Sequence, residues 1–145
     1  MFEPLRLPAR VTVLVEVSRG GRVKRRSDGT IDFVSPLPSP FNYGCIEGTV
    51  APDGDPLDAL VLVPRLRAGV RVECEVLAVY GFIDRGLLDP KLVCGRAPLW
   101  PAQRRSVERF FLRYARLKRG IQRWRGQPEP TEAIGWLPWT RRRPW

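Results

Sequence analysis

The chain has 145 residues, 43% of them hydrophobic, and carries 25 Lys and Arg against 15 Asp and Glu, a net charge of +10. That length suits one domain with a core of useful size, and no apolar run of about 18 residues predicts a membrane span. Histidine is absent, which excludes His-based triads and removes the commonest general base and zinc ligand, so any hydrolysis must run on carboxylates, metals, Lys, Arg and Tyr.

Met1-Phe2-Glu3-Pro4 lacks the basic start and apolar run of a signal peptide, so a cytoplasmic protein is expected. Val11, Val13, Val15 and Val17 alternate with Thr12, Leu14 and Glu16, so Arg10–Val17 reads as a strand. Ser18-Arg19-Gly20-Gly21 is a turn, after which Val23–Arg26 is expected to return antiparallel as a hairpin. Ser27-Asp28-Gly29 turns again into a short strand at Ile31–Val34, and Pro36, Pro38 and Pro40 impose an extended loop. Cys45–Val50 can pair briefly with a neighbour. Ala59–Val63 is an apolar run of strand length, buried on both faces if it is a strand. Val70, Val72, Cys74, Val76 and Ala78 alternate with polar or larger residues and give a long strand toward Phe82. Asp84–Asp89 reads as a loop and Lys91–Cys94 as a short strand. Cys45, Cys74 and Cys94 fit no zinc spacing and read as buried thiols.

After Pro101 the period changes. Val107, Phe110, Phe111, Tyr114 and Leu117 mark one face of a helix that Gly120 can cap, and Arg105, Arg109, Arg113 and Arg116 make a basic ridge. Thr131 is placed to cap a second short helix ended by Pro138. Residues 1–138 are read as one domain and 139–145 as a basic tail. The expected fold is mainly β, a small antiparallel barrel with one or two peripheral helices.

The most informative stretch is Asp53-Gly54-Asp55-Pro56-Leu57-Asp58, with three carboxylates and no Lys or Arg. Such crowding is costly unless positive charge lies between the groups. Gly54 permits a sharp turn and Pro56 fixes the return, so the three can converge on one point, where hard oxygen donors suit Mg²⁺ or Mn²⁺. An Asx-rich solvated turn is the plainer reading of the same residues. An EF-hand from Asp53 fails at its twelfth position, which is Pro64, and no GxxxxGK[ST] loop exists.

Asn42-Tyr43-Gly44-Cys45-Ile46, the acidic stretch with Ala59-Leu60-Val61, and Asp84, Asp89 and Lys91 at their spacing resemble the soluble inorganic pyrophosphatases with an oligonucleotide-binding-type barrel, from about Val11 to Tyr114. The resemblance implies Mg²⁺-dependent hydrolysis of pyrophosphate, Mn²⁺ being a possible substitute, by a homo-oligomer without membrane attachment. It implies that Asp53, Asp58 and Asp89 hold the tightest ion, that Asp58 bridges to a second, and that Asp84 with Asp89 holds a third. Glu16 is expected to help hold a further ion. Asp55 would take the proton of the attacking water, and Lys24, Tyr43, Lys91 and Tyr114 would grip phosphate. The chain departs from the family at Arg26, where a glutamate is expected, at Ala115, where a lysine is expected, and between Gly29 and Asn42, which contains no Arg. The rival reading is a weakened barrel that binds nucleic acid or polyphosphate. From Arg104 onward, twelve Lys and Arg stand against three Glu, with Trp124, Trp136, Trp139 and Trp145 interleaved.

Overall fold

The computed structural model describes residues 4–25, 28, 30–34, 37–126 and 130–143. In chain order the elements are β1 (Leu5–Pro8), β2 (Arg10–Val17), β3 (Val23–Arg25), β4 (Ile31–Val34), β5 (Asn42–Ile46), β6 (Leu57–Val61), β7 (Arg71–Asp84), β8 (Leu87–Leu88), β9 (Lys91–Gly95), α1 (Pro101–Trp124), β10 (Glu132–Leu137) and β11 (Trp139–Arg142). Strand β7 pairs antiparallel with β2 through Arg71–Glu75 and with β9 through Glu75–Tyr80. The path β7–β2–β5–β6–β9 therefore returns to β7 and closes a barrel, with β8 and β10 attached to the far end of β7. The pairing is antiparallel except between β6 and β9, and between β1 and β11.

The apolar run at β6 behaves as its composition demands. Ala59 and Val61 face the barrel interior with Val13, Val76, Val79 and Leu92, while Leu60 faces the other way, toward α1. Strand β9 is divided similarly, with Leu92 and Cys94 inside and Val93 under the helix. A register shift between Val76 and Ala78 turns Ala78, Tyr80 and Phe82 outward onto Val107, Phe111 and Ala115 of α1. The helix thus covers an aromatic layer in which Phe111 meets Phe41, Tyr80, Phe82 and Tyr114. Pro101 starts α1, and the Gln103 side chain accepts the Trp100 backbone N–H at 2.8 Å.

Several expectations are corrected. Strand β3 pairs with β4 and not with β2. The helix runs through Gly120 to Trp124, and Gly126, with φ 68°, follows its end. The second helix expected after Thr131 is instead β10, an edge strand on β7, and α1 is the one helix among the described residues. The segment 139–142, part of the expected basic tail, is β11 and pairs with β1 from Leu5↔Trp139 to Pro8↔Arg142. Arg26, Ser27, Gly29, Ser35 and Pro36 lie outside the described residues. No described helix is long and apolar enough to cross a membrane.

Candidate active site

Asn42, Tyr43 and Gly44 do three different jobs on β5. The Asn42 side chain is fully buried and ties two loops to the strand. Its amide donates to the carbonyls of Val61, Val63 and Pro64 at 3.2 Å, and its oxygen accepts the Leu66 and Arg19 N–H groups at 2.8 and 3.1 Å. At Gly44 a Cβ would collide with the Leu14 carbonyl oxygen, so only glycine lets β5 lie this close to β2. Opposite it, the β2 register shifts between Val15 and Val17, and the bulge leaves Glu16 to face the site. Tyr43 between them carries the phenol that reaches the carboxylates.

The ten residues expected to form the site all line one cavity of about 970 Å³: Glu16, Lys24, Tyr43, Asp53, Asp55, Asp58, Asp84, Asp89, Lys91 and Tyr114. They arrive from β2, β3, β5, the acidic turn, β6, the end of β7, the turn before β9, β9 itself and α1. Lys91 is the centre of charge. Its ammonium donates to Tyr43 Oη at 2.8 Å, Asp58 Oδ2 at 2.7 Å and Asp89 Oδ2 at 2.8 Å. It also sits 5.5 Å from the ring centroids of Tyr43 and Phe82. Tyr43 Oη donates in turn to Asp58 Oδ2 at 2.8 Å.

Burial and charge oppose each other here. Burial favours the neutral forms of Asp58 and Lys91, but their mutual attraction wins. Asp58 is held below the usual carboxylate range by Lys91, Lys24 and Tyr43, and Lys91 is held well above the usual lysine range by Tyr43, Asp58 and Asp89. Asp89 goes the other way, raised by burial and by its neighbours Asp58 and Asp53 against the pull of Lys91. Tyr43 is raised well above the ordinary phenol by burial and by Asp58.

The acidic turn is open to solvent, and Asp53 Oδ1 accepts the Asp55 N–H at 3.1 Å, the Asx geometry that D-x-D permits. Asp84 ends β7 with one oxygen, Oδ2, on Lys118 Nζ at 2.6 Å. Its other oxygen, Oδ1, is buried without a hydrogen-bond partner among the described residues. Glu16 and Lys24 stand 4.0 Å apart.

Among the described residues no three carboxylates stand close enough to hold one ion. The donors nevertheless fit a hard divalent cation. All are carboxylates, they ring one cavity, and the unpartnered buried oxygen of Asp84 is a polar atom that a cation would satisfy. Sequence reading missed the contribution of the C-terminal half of α1, where Lys118 and Gln122 also line the cavity, and of Arg125 just past its end and Arg85 after β7. The signal for Lys118 was present, because it lies four residues after Tyr114 on the same helix face. Ala115, by contrast, is 1% exposed and packs in the aromatic layer.

The inorganic pyrophosphatase family model matches residues 13–135. An inorganic pyrophosphatase of Corynebacterium efficiens is 30% identical over 129 residues, covering 76% of this chain and 82% of that protein. One from Gluconobacter oxydans is 33% identical over 96 residues, and there the match spans 61% of this chain and 56% of the relative's length. The crystal structure of inorganic pyrophosphatase from Thermus thermophilus superposes with a TM-score of 0.73 at 28% identity, covering 90% of this chain and 83% of that one.

Proposed function

Because the chain belongs to the inorganic pyrophosphatase family, we propose that it hydrolyses inorganic pyrophosphate to two phosphates in this cavity, with Mg²⁺ as cofactor and Mn²⁺ as a substitute. The supporting observation is that the residues the resemblance singles out, scattered from Glu16 to Tyr114, line a single cavity. Asp53, Asp58 and Asp89 would hold the tightest ion, Asp58 would bridge to a second, and Asp84 with Asp89 would hold a third, with Glu16 assisting a further one. When bound, divalent ions lower the pKa of a water and neutralise the charge of the leaving phosphate.

The chain's own residues supply the rest. Asp55, on the exposed turn, accepts the proton of the attacking water. Lys91 compensates the charges of Asp58 and Asp89 and so holds the two carboxylates side by side. Tyr43 fixes the orientation of Asp58 through its hydroxyl. Tyr114 and Lys24, which both line the cavity, contact phosphate oxygens. A cytoplasmic location accords with the free, buried thiols of Cys45, Cys74 and Cys94. A homo-oligomer accords with the exposed Trp100, Leu112 and Trp124 of the helical segment and would register in sedimentation velocity as a mass above that of the monomer. Calorimetric titration with Mg²⁺ tests the metal assignment. Heat of binding at millimolar Mg²⁺, with phosphate release abolished by chelator, is the expected result; no binding at that concentration would defeat the catalytic reading.

A further inference from the structure

The cavity holds cations of two kinds. Lys91 is 3% exposed and has its three ammonium protons committed to Tyr43, Asp58 and Asp89. It is a charge clamp, and the phosphate grip expected of it from the sequence would require one of these bonds to open. Lys118 is different. Its side chain is 26% exposed, its ammonium lies 5.3 Å from the Tyr114 ring centroid, and its one hydrogen bond among the described residues goes to Asp84 Oδ2. Two donors therefore remain on a cation that lines the cavity beside a candidate phosphate-contacting tyrosine. The helix position directly after that tyrosine cannot supply such a charge, because Ala115 points into the core.

Resting on the hydrolytic reading above, we propose that Lys118 is a substrate-binding residue of this site. Its ammonium bonds a terminal oxygen of pyrophosphate and takes over the grip that Ala115 cannot provide, while the hydrogen bond to Asp84 keeps the flexible side chain aimed into the cavity. The ligand class is a phosphoanhydride or its phosphate product. Four turns of helix precede Lys118, so the residue is carried on a rigid element rather than a loop.

The test compares wild type with Lys118→Met and Lys118→Arg. Methylenediphosphonate, which cannot be hydrolysed at its bridge, is titrated calorimetrically with Mg²⁺ present, and phosphate release is followed separately. Loss of one charge-assisted hydrogen bond is expected to weaken analogue binding roughly tenfold to a hundredfold in Lys118→Met. The Michaelis constant should rise more than the turnover number falls, and Lys118→Arg should regain most of the affinity. Unchanged analogue affinity in Lys118→Met overturns the proposal. So does a loss of Mg²⁺ binding without phosphate, which would mean that Lys118 acts only through Asp84. Wild type that binds the analogue in a Lys118-dependent way but releases no phosphate defeats the hydrolytic reading alone. Wild type that binds no analogue defeats both.

Discussion

At the scale of the residue, two buried groups report most directly on the site. Lys91 stands between Asp58 and Asp89, whose side chains are 17% and 10% exposed. Replacing it with Met leaves two nearly buried carboxylates facing each other across an apolar side chain. Breaking a buried pair on one side typically costs about 3–5 kcal/mol, and that is the loss expected for Lys91→Met in urea denaturation without divalent metal. A loss under about 1 kcal/mol would mean that the clamp is not holding the carboxylates together. Cys45 is the second reporter. Burial, then the negative charges of Glu16 and Asp58, push its thiol up to about 11. A raised thiol pKa means less thiolate at any pH below it, so alkylation should stay slow at pH 8 and climb only as pH approaches 11. Relative to an ordinary thiol near 8.5, the reactive fraction at pH 8 should fall roughly two hundredfold. Peptide mapping after iodoacetamide treatment reads this directly, and reaction of Cys45 at the rate of a free thiol at pH 8 would contradict it. Of these residues, Tyr43, Asp58, Asp89 and Lys91 were legible in the sequence because each lies in a segment that resembles the family, Asn42–Ile46, Asp53–Asp58 or Asp84–Lys91. The division of labour between Lys91 and Lys118 was not legible, because it depends on which donors are already bonded.

At the scale of the element, α1 decides what the wall of the cavity offers. From sequence, Ala115→Lys looks like the restoration of a phosphate-gripping cation. In the fold, Ala115 is 1% exposed among Phe41, Phe82, Val107 and Phe111. A lysine there must either bury an ammonium or push the helix off the barrel, at a cost of at least about 2 kcal/mol. Thermal or urea unfolding of Ala115→Lys should show that loss without any fall in the Michaelis constant. A stable variant with improved substrate affinity would contradict the packing described for this face. Strands β2, β6 and β7 were foreseeable because alternation or an unbroken apolar run dictates them. Strand β10 was not. Thr131 looks like a helix cap, and Ala133-Ile134-Gly135-Trp136-Leu137 lacks clean alternation because all five are half-buried on an edge. Its register also shifts between Ala133 and Gly135.

At the scale of the whole molecule, closure of the barrel brings distant carboxylates together. Asp58 on β6 meets Lys91 on β9 because those strands pair in parallel, with Asp58 opposite Lys91. Glu16 reaches the same cavity from the bulge in β2, and Asp84 from the far end of β7. Partners so remote in sequence leave no local trace, and β11 is one such case: Trp139 pairs with Leu5 across nearly the full chain. In the proposed hydrolysis of pyrophosphate by this assembled cavity, Asp58 is the hub, bonded to both Lys91 and Tyr43. The most direct measurement is phosphate release from pyrophosphate by wild type and by Asp58→Asn, with Mg²⁺ and again with Mn²⁺, and with folding checked by circular dichroism. Wild type should release phosphate only with metal, and Asp58→Asn should be slower by at least about 10²–10³, the usual cost of removing one electrostatic stabiliser from an active site. Equal, near-zero release from both folded proteins across pH 6–10 would contradict the account.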